Sequence, residues 1–177
     1  KNLILVCNGE IYNYQELKNE LKKKYTFKTN MDTEVLIPGY QEWGEELWKK
    51  LNGMFSIVVW DKKNKKLSMV RDHVGIKPLH YFICQNKLYF SSDYNSFFYQ
   101  NSKKLKLRND SILSYLSFRY VIGEKTFLED VYDVLPGEKI IISNKGLKSE
   151  IYWDANLEKK IDKGENFFIK NLDFEME

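Results

Sequence analysis

Between residues 53 and 92 the chain is a run of short apolar segments, and no other feature restricts the fold as much. "MFSIVVW" (54–60), "KLSMVR" (66–71), "LHYFIC" (79–84) and "KLYFSS" (87–92) are rich in β-branched and aromatic residues. Polar turns separate them: "DKKNKK", "DHVGIKP" and "QN". Segments of this kind, cut by turn residues, predict an antiparallel meander. Only Gln85-Asn86 joins the last two, which predicts a tight hairpin. "EKIIIS" and "LKSEIYW" around "NKG" predict another.

Helical patterns surround these strands. The opening "LILVC" (3–7) reads as a buried strand. Asn13 follows as a helix N-cap, with Glu16 completing a capping box and Tyr12 against Leu17 as the hydrophobic staple. Tyr14, Leu17 and Leu21 then predict an amphipathic helix over 14–24. Asp32 or Thr33 is placed to cap a second helix near Glu34. Pro38-Gly39 is expected to kink or break it. "EELWKKL" resumes the pattern up to Asn52-Gly53, and short helices are expected at 93–99 and 110–118. The tail beyond Asn156 is charged and uneven and reads as a linker or frayed end. Helices flanking antiparallel strands predict an α+β layered fold.

Composition excludes several function classes. The 177 residues carry a net charge of only +3, spread over dispersed lysines, so no concentrated basic face for nucleic acid is expected. No apolar stretch reaches the roughly 20 residues that a membrane span needs. Cys7 and Cys84 sit inside apolar runs without metal-ligand spacing, which fits a reduced, cytoplasmic setting. The first residue is Lys1, and "KNLILV" is too short for a signal peptide.

The candidate chemistry lies at Asn8-Gly9-Glu10. Glycine allows close backbone approach and exposes its own N–H. An asparagine side chain adds NH₂ donors. Donors from Asn8 and Gly9 converging on an oxyanion would suit acyl transfer. Glu10 could bind an ammonium group, with Asp32 as a second carboxylate. The plainer alternative is that Asn-Gly is a turn, Glu10 a surface charge and Asp32 a helix cap.

"NGEIYNYQEL", "DTEV", "LNGMFSIVVWD", "RDHVGIKPLHYF" and "LYFSSD" occur in this order. Together they resemble the glutaminase domain of class II glutamine amidotransferases, which are N-terminal-nucleophile hydrolases. "LSFRYVIGEKTFLEDVYDVLPGEKIIIS" and "YWD" are similar to the asparagine synthetase branch. The resemblance covers about residues 3–154. It implies a four-layer αββα sandwich of two antiparallel sheets, incomplete at the N-terminus, whose facing strands include 3–7 and 54–60. It also implies a partial amidotransferase domain over 1–154, with 155–177 a linker or the start of a synthetase domain.

The implied reaction is hydrolysis of glutamine to supply ammonia for ATP-dependent amidation of aspartate to asparagine. By resemblance, Asn8 and Gly9 form the oxyanion hole, Glu10 helps hold glutamine and Asp32 binds its amino group. No cofactor is expected in this chain, with ATP and Mg²⁺ belonging to the synthetase domain. The implied partners are glutamine and that domain, and a homodimer stays open.

Two departures matter. The family nucleophile is a cysteine at the mature N-terminus, whose α-amino group acts as base. Here Lys1 stands first. The arginine loop that grips the glutamine carboxylate is also absent, and no pyrophosphatase loop precedes Glu177. The chain is therefore expected to be cut at both ends and inactive alone. Cys7, in an apolar strand, is read as core and not as a substitute nucleophile. "RDHVGIKP" is read as a structural turn shaped by Gly75 and Pro78, and His80 as core packing. Asp93 stands where the family carries Glu. Another class II amidotransferase and a non-catalytic binding domain of this fold remain alternatives.

Overall fold

The strand-rich middle of the chain forms two antiparallel sheets in this computed structural model, which describes residues 2–99, 105–155 and 163–176. The larger sheet has the order β1-β2-β3-β7-β8: β1 Leu3–Ile11, β2 Gly53–Asp61, β3 Lys66–Arg71, β7 Glu138–Ser143 and β8 Gly146–Ile151. The smaller has the order β5-β4-β6: β4 His80–Cys84, β5 Lys87–Ser91 and β6 Tyr132–Asp133.

Alternation along each strand assigns its side chains to layers. On the outer face of the larger sheet, Phe55, Ile57, Val59 and Val70 pack against the helices α1 Tyr14–Leu21, α2 Leu36–Trp43 and α3 Leu47–Lys50. On its inner face, Val58, Met69 and Ile140 meet Leu79, Tyr81 and Val134, which forms the core between the sheets. Tyr81 points inward, and its neighbour Phe82 points out. Phe82 packs on Phe97 of α4, Asn95–Phe98, with Leu128 and Val131. The four-layer αββα order implied by the resemblance is present. Helix α5, Asn109–Phe118, follows α4, and α6 spans Glu165–Met176. Among the described residues no helix is long and apolar enough to cross a membrane.

Several expectations change. Segments 3–7 and 54–60 do not face each other across two sheets. They are hydrogen-bonded neighbours in one sheet, with Leu5 opposite Val59 and Cys7 opposite Ile57. The meander is split, because the chain leaves the larger sheet after β3 and builds the smaller one from β4 and β5. β1 continues through Asn8-Gly9-Glu10 to Ile11, and it is an edge strand, with Ile4 and Val6 half exposed. Asn13 precedes α1, but its side chain does not cap it. It bonds instead to the 50–52 loop, donating to the Lys50 carbonyl and accepting from the Asn52 N–H, both at 2.9 Å. Tyr12 is exposed, so the staple does not form.

Pro38-Gly39 does not break α2. Proline stands in the first turn, where its missing N–H would have had no helical partner. The breaks fall elsewhere: a 3₁₀ turn, Asp32–Val35, precedes α2, and Gly44 at φ 57° ends it. The tail, read as a linker or frayed end, carries α6, and residues 156–162 lie outside the described residues. The Gln85-Asn86 hairpin is as expected, with φ of 51° and 59°. Those two left-handed residues match the turn that follows strand twist.

Candidate functional site

The edge position of β1 determines what Asn8, Gly9 and Glu10 can do. In an antiparallel ladder, alternate residues bond to a given neighbour. The ladder between β1 and β2 is flanked by bonds from the Lys62 N–H to the Asn2 carbonyl and from the Tyr12 N–H to the Asn52 carbonyl. With the observed register, the even-numbered residues of β1 bond to β2. The N–H groups of Leu5, Cys7, Gly9 and Ile11 therefore point to the unpaired edge. At Ile11 that edge is capped, because the N–H donates to Asp32 Oδ2 at 2.7 Å. Asp32 thus closes the strand edge and does not cap α2.

Gly9 is needed where it sits. An added Cβ would come within 2.1 Å of the Met54 carbonyl oxygen and 2.6 Å of the Phe55 Cα. No side chain fits against that backbone.

Asn8 and Glu10 share the face of β1 that looks toward the smaller sheet. Asn8 lines a cavity of about 200 Å³ between the sheets, with Val6, Ser56, Leu79, Phe90 and Ser92. Its Nδ2 donates to Ser92 Oγ at 3.1 Å, across the two sheets. The Glu10 side chain is exposed and has no hydrogen bond or ion pair among the described residues. The arrangement brings Asn8, Gly9, Glu10 and Asp32 to one end of a single strand edge. An amide NH₂, an outward backbone N–H and a carboxylate follow one another there, and the Asp32 carboxylate closes the next outward N–H.

Cys7 lies on the opposite face, against the helix layer. Burial pushes its thiol up to about 11, and the Asp32 charge adds to the effect. A thiol held in that state is a poor nucleophile, in keeping with its reading as core.

The "RDHVGIKP" loop is structural. Asp72 is fully buried, and its carboxylate accepts the N–H groups of Phe55, Val74, Ile76 and Lys77. Arg71 donates to the carbonyls of Lys77, Gly75 and Val134. His73 stacks on Trp153 with ring centroids 4.7 Å apart, and burial lowers its pKa. His80 does more than pack: it pairs with Asp133 and stacks on Tyr94. Asp93, shorter than the family residue, still accepts the Asn95 N–H.

Ser92 was missed as a partner of the site. It lies in the quoted "LYFSSD", but it meets Asn8 across 84 positions of sequence, and no periodicity links the two.

A family model described as a glutamine amidotransferase domain matches residues 1–153. Asparagine synthetase [glutamine-hydrolyzing] 1 of Bacillus subtilis is 36% identical over 95% of this chain, which spans 27% of that protein. Amidase chry2 of Gibberella zeae is 32% identical over 89% of the chain and 23% of its own length. The chain thus spans about a quarter of the length of these curated relatives. Among solved structures, a glutamine phosphoribosylpyrophosphate amidotransferase from B. subtilis matches with TM-score 0.58 at 20% identity, over 86% of this chain and 30% of that one. A glutamine aminotransferase class-II domain protein from Silicibacter pomeroyi matches with TM-score 0.54 at 13% identity, covering 86% and 69%. At these identities the structural matches establish a shared fold.

Proposed function

Since the chain belongs to the glutamine amidotransferase domain family, we propose that it is the glutaminase domain of an asparagine synthetase. It would release ammonia from glutamine for ATP-dependent amidation of aspartate elsewhere in the same protein. The relative named asparagine synthetase, aligned over 95% of the chain, supports this choice of acceptor.

The observation that carries the glutaminase reading is the end of β1. The Asn8 Nδ2 carries two hydrogens, only one of which is used by Ser92. The second hydrogen and the outward Gly9 N–H are the two donors of an oxyanion hole. They hold the negative charge that develops on the amide oxygen as the carbonyl is attacked. Asp32 has one oxygen on the Ile11 N–H, which leaves the other for the glutamine ammonium, and Glu10, the residue before Ile11, would be the second carboxylate. The nucleophile implied by the family is an N-terminal cysteine, and Cys7, on the helix-layer face with its thiol pushed up by burial, is not a substitute for it. Cys7→Ser should therefore leave the glutamine-dependent turnover of the full-length protein in place, and its loss would overturn this.

ATP and Mg²⁺ are assigned to the synthetase part of the protein. The setting that suits the two free cysteines is the cytoplasm.

The test is a paired assay of the full-length protein with glutamine or ammonium as nitrogen donor. Asn8→Ala should lower glutamine-dependent turnover by about 10²–10³, because oxyanion contacts act mainly in the transition state. Asp32→Asn keeps an acceptor for Ile11 but loses the charge, so it should mainly raise the glutamine KM. Ammonium-driven synthesis should be unchanged in both. Equal losses with either donor would show that these residues serve the fold and not the glutaminase step.

A further inference from the structure

The hydrogen bond from Asn8 to Ser92 joins the two sheets at the candidate site. Asn8 belongs to an edge strand and is exposed, with no other hydrogen bond from its side chain among the described residues. An asparagine amide so placed rotates about its last torsion, which has a broad energy profile. It could then present either its NH₂ or its carbonyl oxygen to a ligand. A carbonyl oxygen aimed at an oxyanion repels it, so the amide needs a fixed orientation.

Ser92 sits on a rigid support. It follows β5 directly, and the turn after it is tied by its own side chains. Ser91 Oγ accepts the Asp93 N–H at 3.0 Å and lies 3.0 Å from Ser96 Oγ. Asp93 Oδ1 accepts the Asn95 N–H at 3.1 Å. Tyr94 stacks on buried His80, with ring centroids 4.0 Å apart, and His80 is in turn held by Asp133 of β6. The backbone that carries the Ser92 hydroxyl is thus tied on both sides to the smaller sheet and α4.

We infer that Ser92 is a positioning residue for the glutaminase reaction: its Oγ accepts one Nδ2 hydrogen of Asn8 and aims the other at the developing oxyanion. This rests on the glutaminase reading above. Ser92 itself touches neither substrate nor nucleophile, and it acts only through Asn8.

The experiment is a double-mutant cycle in the full-length protein, with glutamine and ammonium as alternative donors. Ser92→Ala should lower glutamine-dependent kcat about tenfold, as expected when one neutral hydrogen bond is lost. The glutamine KM and ammonium-driven synthesis should not move. Ser92→Thr, which keeps the hydroxyl, should recover most of the loss. On an Asn8→Ala background, Ser92→Ala should cost nothing further, because the group it aims is gone.

A Ser92→Ala loss of the same size in both backgrounds would overturn the inference. So would a loss shared by both nitrogen donors, or an unchanged kcat in a protein where Asn8→Ala is strongly impaired. If Asn8→Ala itself leaves glutamine-dependent turnover intact, the oxyanion reading fails and takes this inference with it.

Discussion

At the scale of single residues, Gly9 and Asp72 are each held by the backbone around them. A Cβ on Gly9 would meet the backbone of β2, which cannot rotate aside as a side chain could. Gly9→Ala should therefore part β1 from β2 and cost on the order of 3 kcal/mol. Urea denaturation measures it, and a cost under 0.5 kcal/mol would show that the strands tolerate the shift. Asp72 uses both oxygens on backbone donors: Oδ1 takes Val74 and Ile76, and Oδ2 takes Phe55 and Lys77. In Asp72→Asn, one of these pairs of N–H groups faces an NH₂ whichever way the amide turns. A loss of about 2–4 kcal/mol should follow from the unsatisfied donors alone, read by the same denaturation.

At the scale of elements, β1 is a strand with one used edge. Even-numbered amides are in the ladder, and the odd-numbered ones look outward except where Asp32 covers Ile11. Hydrogen exchange on the 177-residue chain should show this alternation, with Val6, Asn8 and Glu10 protected and Leu5, Cys7 and Gly9 fast. Asp32→Ala should add Ile11 to the fast set. Uniform protection along β1 would mean that a second strand covers its edge. Much of this region was legible in sequence. The strand composition, the Gln85-Asn86 hairpin and the grouping of Asn8, Gly9, Glu10 and Asp32 all came from local patterns and the resemblance. The pairing of β1 with β2 did not, because period-2 alternation says which face a side chain takes and not which strand lies beside it. Pro38 misled for a related reason. Its effect depends on where the helix starts, and a 3₁₀ turn moved that start.

At the scale of the whole molecule, Glu45 ties layers together. It accepts hydrogen bonds from Tyr40 and Trp48 in the helix layer and from Lys66 and Ser68 in β3, and it lies near Lys139 of β7. Burial opposes its charge, but the bonds from Lys66, Trp48 and Tyr40 outweigh that and hold its carboxyl below the usual 4.5. A carboxyl that titrates lower in the folded than in the unfolded chain adds stability above its unfolded value. That stability is lost as pH falls through the folded value. Stability should therefore decline as pH drops below about 4.5, and Glu45→Gln should flatten that decline while lowering stability at neutral pH. Equal slopes in the two proteins would remove Glu45 as the cause.

The route of the chain between the sheets carries a consequence of its own. β3 and β7 are neighbours, with Met69 opposite Ile140, yet all of the smaller sheet lies between them in sequence. The smaller sheet is in effect an insert whose two ends are clamped together: the Gly137 N–H bonds to the Asp72 carbonyl and Arg71 bonds to the Val134 carbonyl. The larger sheet cannot be completed until that long excursion closes, and contacts so distant along the chain make for slow folding. Refolding should begin with the local β2–β3 and β4–β5 hairpins and finish with β7 docking on β3. Changes of length in the excursion, at the turns away from Asn8, should alter the folding rate far more than the shape of the sheet that it interrupts.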